Sequence, residues 1–144
     1  MSLLQKWVAA LRSGKYQQVR YYLRTPCGYC VEGVLCDVSG MGTWREHVTA
    51  NGHTNGYRWV GPDGETKAIY LHPQILAALR EERVVTDVPL EWLTPKMQER
   101  AATNIFVRDG RVSLQGLNDY GLNFQELADL LERANPHLSI LEDA

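Results

Sequence analysis

Apolar residues along this chain recur mostly at helical spacing, interrupted by short stretches of extended pattern and by turns. Ser2 followed three residues later by Gln5 is a capping-box pattern, and Leu3, Leu4, Trp7, Val8 and Leu11 then repeat as one helix face. Gly14 is placed to end that helix. In residues 15–25, KYQQVRYYLRT, the β-favouring Val19, Tyr21 and Tyr22 predict a strand, which Pro26 and Gly28 break. Cys30, Val31, Val34, Leu35 and Val38 fall on one face of a second helix, ended by Ser39 and Gly40. Gly33 inside it is unfavourable for helix formation and requires close packing to explain it.

Residues 40–56 are rich in Gly, Thr, Asn and His and predict the longest loop. Residues 58–60 and 66–71 flank GPDG, a turn signal, and predict a β-hairpin. Pro73 opens a helix through about residue 82, and Thr94-Pro95 opens a short one to about residue 102. NIFVRDGRVSL predicts a second hairpin with Asp109-Gly110 as its tight turn. GLNDYG reads as a turn, leading to Asn123 as cap of the last helix with Glu126 three residues on. Phe124, Leu127, Ala128, Leu130 and Leu131 form its buried stripe, and Asn135-Pro136 stops it. The expected fold class is α+β: a single compact domain over residues 1–144, with four to five helices and two β-hairpins forming a small antiparallel sheet.

Composition agrees with a globular domain: 144 residues, 44% hydrophobic and 22% charged. No apolar run reaches the roughly 18 residues needed to cross a bilayer, and the opening residues lack the pattern of a secretory leader. Cys27, Cys30 and Cys36 are an odd, clustered set, which predicts reduced thiols in a cytosol rather than a disulfide framework. Residues 1–60 hold seven Lys or Arg against three Asp or Glu, so the net charge of −2 hides a basic half and an acidic half. Such asymmetry is either a basic face for an anionic partner or plain solvated charge.

Three segments carry a resemblance to a known family. They are KWVAALRSGKYQQ followed by Leu23-Arg24; YCVEGVLCD, against a pattern close to CCLGVLCD; and VSLQGLNDYGLNFQELADLLE, against a SLAxLND-G-x-x-F-x-E-I-A-D-x-I-E ending. With LHPQILAAL they resemble, in order, an uncharacterised family of small tailed-phage and prophage proteins. The chain departs from that pattern at Val31, where a second cysteine is common, and at Glu32, where leucine is usual. The resemblance implies a phage origin and a shared fold, and carries no established activity.

Candidate chemistry is sparse. Cys27-x-x-Cys30 with Cys36, completed by His47 or His53, has the residue types of a zinc site, but no second ligand pair stands at clear spacing. Cys30 also falls on the apolar helix face, where a thiol acts as a small hydrophobe. His47-Val48-Thr49 and His137-Leu138-Ser139 are two H-x-[T/S] units, resembling the paired signature of 2H phosphoesterases, in which two histidines perform acid–base work on a phosphodiester. That family carries both units on strands, whereas these lie in a polar stretch and after a helix-stopping proline. Motifs of the common hydrolases, P-loop NTPases, dinucleotide enzymes and metalloproteases are missing.

On a strand, Arg20, Tyr22 and Arg24 would share one face, a cradle for a phosphate and base or an anchor for an acidic surface. Asn118 and Asp119 are a second candidate binding pair, although both are ordinary turn and capping residues. These features lead to an expected non-enzymatic, phage-encoded accessory protein without cofactor. It would bind a host bacterial protein in the cytoplasm of the infected cell, as an anti-defence or host-takeover inhibitor. The alternatives are a small-ligand binder that sequesters a nucleotide immune signal, and a phosphoesterase acting through His47 and His137. No membrane partner is expected, and nucleic acid is the less favoured macromolecule.

Overall fold

The computed structural model describes residues 1–101 and 107–137. Helix α1 spans Leu3–Arg12, with the Ser2–Gln5 capping box formed in both directions. Its first two backbone N–H groups have no partner within the helix. Both donate instead to the carboxylate of Glu82, at 2.8 and 3.2 Å. Helix α2, Val31–Ser39, is capped in the same manner by its surroundings. Its N–H groups at Val31, Glu32 and Gly33 donate to Asn118 Oδ1, Gln115 Oε1 and Cys30 Sγ respectively. Gly33 is required by packing: a Cβ there would stand 1.7 Å from the carbonyl oxygen of Leu23.

Three small antiparallel sheets replace the single expected one. Strands β1 (Arg24–Thr25) and β2 (Gly28–Tyr29) pair across Pro26-Cys27. Strands β3 (Thr43–Val48), β4 (Thr54–Val60) and β5 (Thr66–Lys67) form the second sheet in that order. Residues 40–56 are therefore not a loop. Most side chains of β3 stand exposed on this hairpin, which Trp44, Tyr57 and Trp59 anchor, so the hydrophobic alternation that marks a half-buried strand is weak. The hairpin expected across GPDG does form, but β5 stops at Lys67.

Helix α3, Pro73–Glu81, starts at Pro73 as its sequence requires, with His72 as cap. Strand β6 (Asp87–Pro89) runs into a single 3-10 turn at Leu90–Trp92, and helix α4 (Pro95–Ala101) follows. The Asp109-Gly110 turn is present, both residues having positive φ, and Arg108 bridges Arg111 across it. The strand beyond it, β7 (Arg111–Ser113), pairs with β6; residues 104–106 of the expected hairpin lie outside the described residues. GLNDYG is not a turn. It ends helix α5, Leu114–Asp119, which Ser113 caps. Helix α6, Phe124–Ala134, has the Asn123–Glu126 capping box.

The architecture is a mixed α+β domain around one core. Helix α1 packs against α2 and α6, and α5 against α2 and α6. Trp7, Leu11, Val34, Leu35, Leu117 and Leu127 are fully enclosed there. The basic and acidic halves meet at Arg12 of α1, which bridges Asp129 and Glu132 of α6, each at 2.7 Å. None of the helices among the described residues is long and apolar enough to cross a membrane.

Candidate functional site

Residues 15–23 do not form the expected strand. They run as a strap between β2 and α5, held mainly by backbone bonds: Val19 N–H donates to Tyr29 O, Tyr29 N–H to Gln17 O, and Leu23 N–H to Ala68 O. At its far end Tyr22 N–H donates to Arg20 O, two residues back, around Tyr21 at φ +72°. A γ-turn of this hand at a non-glycine residue is rare and strained. It is held by Asp119 Oδ1, which accepts from the Tyr21 N–H at 2.8 Å and also from Gln115 Nε2 and Asn118 Nδ2. Asn118 is buried and uses its whole amide. Its Oδ1 accepts from Val31 N–H and Gln18 Nε2, and its Nδ2 donates to Val19 O.

The γ-turn lifts two tyrosines to the rim of a cleft lined by Tyr21, Tyr22, Glu32, Ile69, Tyr70, Gln115 and Asp119. Its volume is about 310 Å³, at the small end of ligand-site sizes. Tyr70 is 76% exposed, Tyr22 49%, Tyr21 48% and Ile69 46%. Four of the nine large apolar side chains that stand exposed among the described residues thus gather on one opening. Grouped exposure of this kind differs from the scattered single apolar residues of an ordinary protein surface.

The floor of the cleft is acidic, and no Lys, Arg or His lines it. Glu32 belongs to the first turn of α2 and its carboxyl has no hydrogen-bond or ion-pair partner among the described residues. Desolvation first, and the neighbouring charge of Asp119 second, push it up to about 7. The other oxygen of Asp119, Oδ2, receives no hydrogen bond among the described residues, while Oδ1 takes three. Gln115 joins the two halves: its Oε1 accepts from the Glu32 N–H and its Nε2 donates to Asp119.

A family model described as Domain of unknown function (DUF8296) matches residues 2–135. The chain belongs to this family. No curated protein and no solved structure matches it. The DUF8296 match covers α1 through the end of α6, and so contains every residue of the cleft.

Within this DUF8296 fold the expected Arg20, Tyr22 and Arg24 face is not assembled. The γ-turn breaks the alternation on which a shared face depends. Arg20 turns to a separate shallow cleft with Gln18, Asn118 and Asn123, while Tyr22 lines the acidic one. Arg24 is spent internally. Its guanidinium lies 3.9 Å from the Tyr57 ring centroid and also meets the rings of Tyr29 and Trp44. Asn118 and Asp119 do belong to the site, the first as a buried brace and the second as a lining residue.

The other expected sites fare differently. Cys30 and Cys36 are buried and Cys27 is exposed. Burial pushes the Cys30 thiol up to about 12 and raises that of Cys36 as well, which disfavours the thiolates that zinc needs. His47 and Thr49 stand at the end of the β3–β4 hairpin and His53 in its turn, while His137 follows α6, which packs on α1, α5 and β6. Ser139 lies outside the described residues.

One triad of potential ligand atoms does converge, at Asp63, Glu65 and His72. Its histidine is already committed. Nδ1 of His72 accepts from the Gln74 N–H at 3.1 Å, so the neutral ring carries its proton on Nε2 and donates it to Asp63 Oδ1 at 2.9 Å. No ring lone pair is left for a metal, and the group reads as the cap of α3.

Of the cleft's residues, Tyr22 and Asp119 are candidates on sequence grounds, each in a different local cluster. Glu32 is a further signal, a carboxylate in the first turn of α2 where the resembled phage pattern has leucine. Nothing local marks Ile69, Tyr70 or Gln115.

Proposed function

We propose that this protein is a non-enzymatic binding module that engages a protein partner through the cleft between the strap and α5. The observation that carries this reading is the gathering of Tyr21, Tyr22, Ile69 and Tyr70, all about half exposed or more, on one opening whose charges are all of one sign. Tyrosine supplies large contact area at low entropic cost, which is why it dominates the energetic centres of protein interfaces. The strain held at Tyr21 supports the same reading, because a fold keeps such a conformation only where its surroundings enforce it.

The sequence resemblance extends this reading to a phage-encoded accessory protein acting on a host protein in the bacterial cytoplasm, as an anti-defence or host-takeover inhibitor. The test is capture from bacterial lysate by tagged wild-type protein and by Tyr22→Ala and Tyr70→Ala variants in parallel. A partner retained by wild type and lost from both folded variants is the expected result. Capture that is indifferent to both substitutions refutes the reading. The nucleotide-binding alternative has lost its motivation, since Arg20 and Arg24 no longer act together.

A further inference from the structure

We infer that the cleft receives the guanidinium of an arginine side chain presented by the partner protein, clasped between the tyrosines of the rim and the carboxylates of Glu32 and Asp119. This rests on the cleft being the docking surface.

Three observations select this occupant. The first is charge. Two carboxylates line the cleft and no cation does, so an anionic or phosphorylated segment is repelled and a cation is attracted. The second is unmet bonding capacity. Glu32 offers two carboxylate oxygens, on which no hydrogen bond acts, and Asp119 offers Oδ2, likewise without a donor among the described residues. A planar fork of five N–H donors can meet several spread acceptors at once, whereas an ammonium is a point charge. The third is the aromatic rim. A guanidinium stacks on tyrosine faces while its stem covers apolar surface, here Ile69.

The chain already uses this pairing within itself, where Arg24 is held against Tyr57, Tyr29 and Trp44. The small volume, about 310 Å³, suits a single side chain better than an extended ligand. Glu32 is held partly protonated near neutrality, first by desolvation and second by the charge of Asp119, and an incoming cation favours its ionised form.

The experiment titrates isotopically labelled full-length protein with Nα-acetyl-arginine methylamide, and separately with the citrulline and lysine analogues. It follows the Tyr21 and Tyr22 backbone amides and the Gln115 side-chain amide by NMR. Saturable shifts with the arginine analogue are expected, with citrulline about tenfold weaker for loss of one charge-assisted contact. The lysine analogue should fall between them. Glu32→Gln, which keeps the side-chain shape, should bring arginine to the level of citrulline while leaving the spectrum dispersed.

Equal response to arginine and citrulline, tighter binding of lysine, or shifts linear to the solubility limit would each overturn the inference. The two readings fail separately. Capture from lysate that depends on Tyr22 and Tyr70 but not on Glu32 leaves the docking surface standing and removes the arginine.

Discussion

Asp119 Oδ1 accepts a 2.8 Å hydrogen bond from the backbone N–H of Tyr21, 98 positions earlier in the chain. That bond joins the last residue of α5 to the strained turn of the strap. The same carboxylate group lines the cleft, so the part that builds the site is also part of the site. Substitutions here separate into those that change the scaffold and those that change the surface.

Tyr21→Gly tests the strained turn. Glycine removes a left-handed penalty of about 1–2 kcal/mol. It forfeits the edge contact of Tyr21 with Tyr120, whose centroids lie 6.0 Å apart, worth about 0.5–1.5 kcal/mol. It also adds freedom to the unfolded chain, at a cost of about 0.4–1 kcal/mol. These nearly cancel, so the urea midpoint should move little while partner capture falls. Tyr21→Val keeps the penalty and loses the ring, and should lower stability by more than about 1 kcal/mol.

Asn118→Ala tests the brace. The substitution leaves the buried Val31 N–H and Val19 carbonyl without their side-chain partners. Each orphaned group costs about 1–3 kcal/mol, so a total loss of about 3 kcal/mol is expected. The denaturant midpoint should fall with an unchanged slope. Loss of capture by this variant should follow its unfolding and not precede it.

Helix ends were legible from the sequence because capping is local. Ser2–Gln5, Pro73 and Asn123–Glu126 each place the chemistry of a helix start within four residues, and all three act as expected. The strap departs from its local preference for a physical reason. Val19, Tyr21 and Tyr22 favour strands, but residues 15–23 bond to the backbone of Tyr29 and Ala68 and to the side chains of Asn118 and Asp119, partners that no local window of sequence contains. Likewise β3 is hidden because most of its side chains face solvent, and β7 takes β6, more than twenty positions earlier, as a partner. The cleft combines residues from the strap, α2, the segment after β5 and α5, so no single window of sequence contains it.

Gly33→Ala tests the close approach of α2 to the strap. In a free helix alanine would stabilise by roughly 1 kcal/mol. Here the new Cβ would meet the Leu23 carbonyl oxygen at 1.7 Å, and backbone must shift to admit it. Overpacking of this kind costs about 1–3 kcal/mol or more, so the clash outweighs propensity and a net loss in thermal stability is expected. A rise in melting temperature would contradict the packing described.

Glu32→Gln tests the electrostatics of the floor. The unfolded chain releases this proton near its ordinary value of 4.5, whereas the folded protein holds it to about 7. Between those values the folded state binds more protons, so the contribution of Glu32 to stability declines as pH rises through that window and levels off above it. A shift of this size corresponds to roughly 3 kcal/mol. Glu32→Gln should therefore be more stable than wild type at pH 8 by about that amount, with the difference vanishing below pH 4.5. Urea unfolding of both proteins across this range measures it directly. A wild-type advantage at pH 8 would mean that Glu32 has an ion partner in the folded protein and that the floor of the cleft is already neutralised.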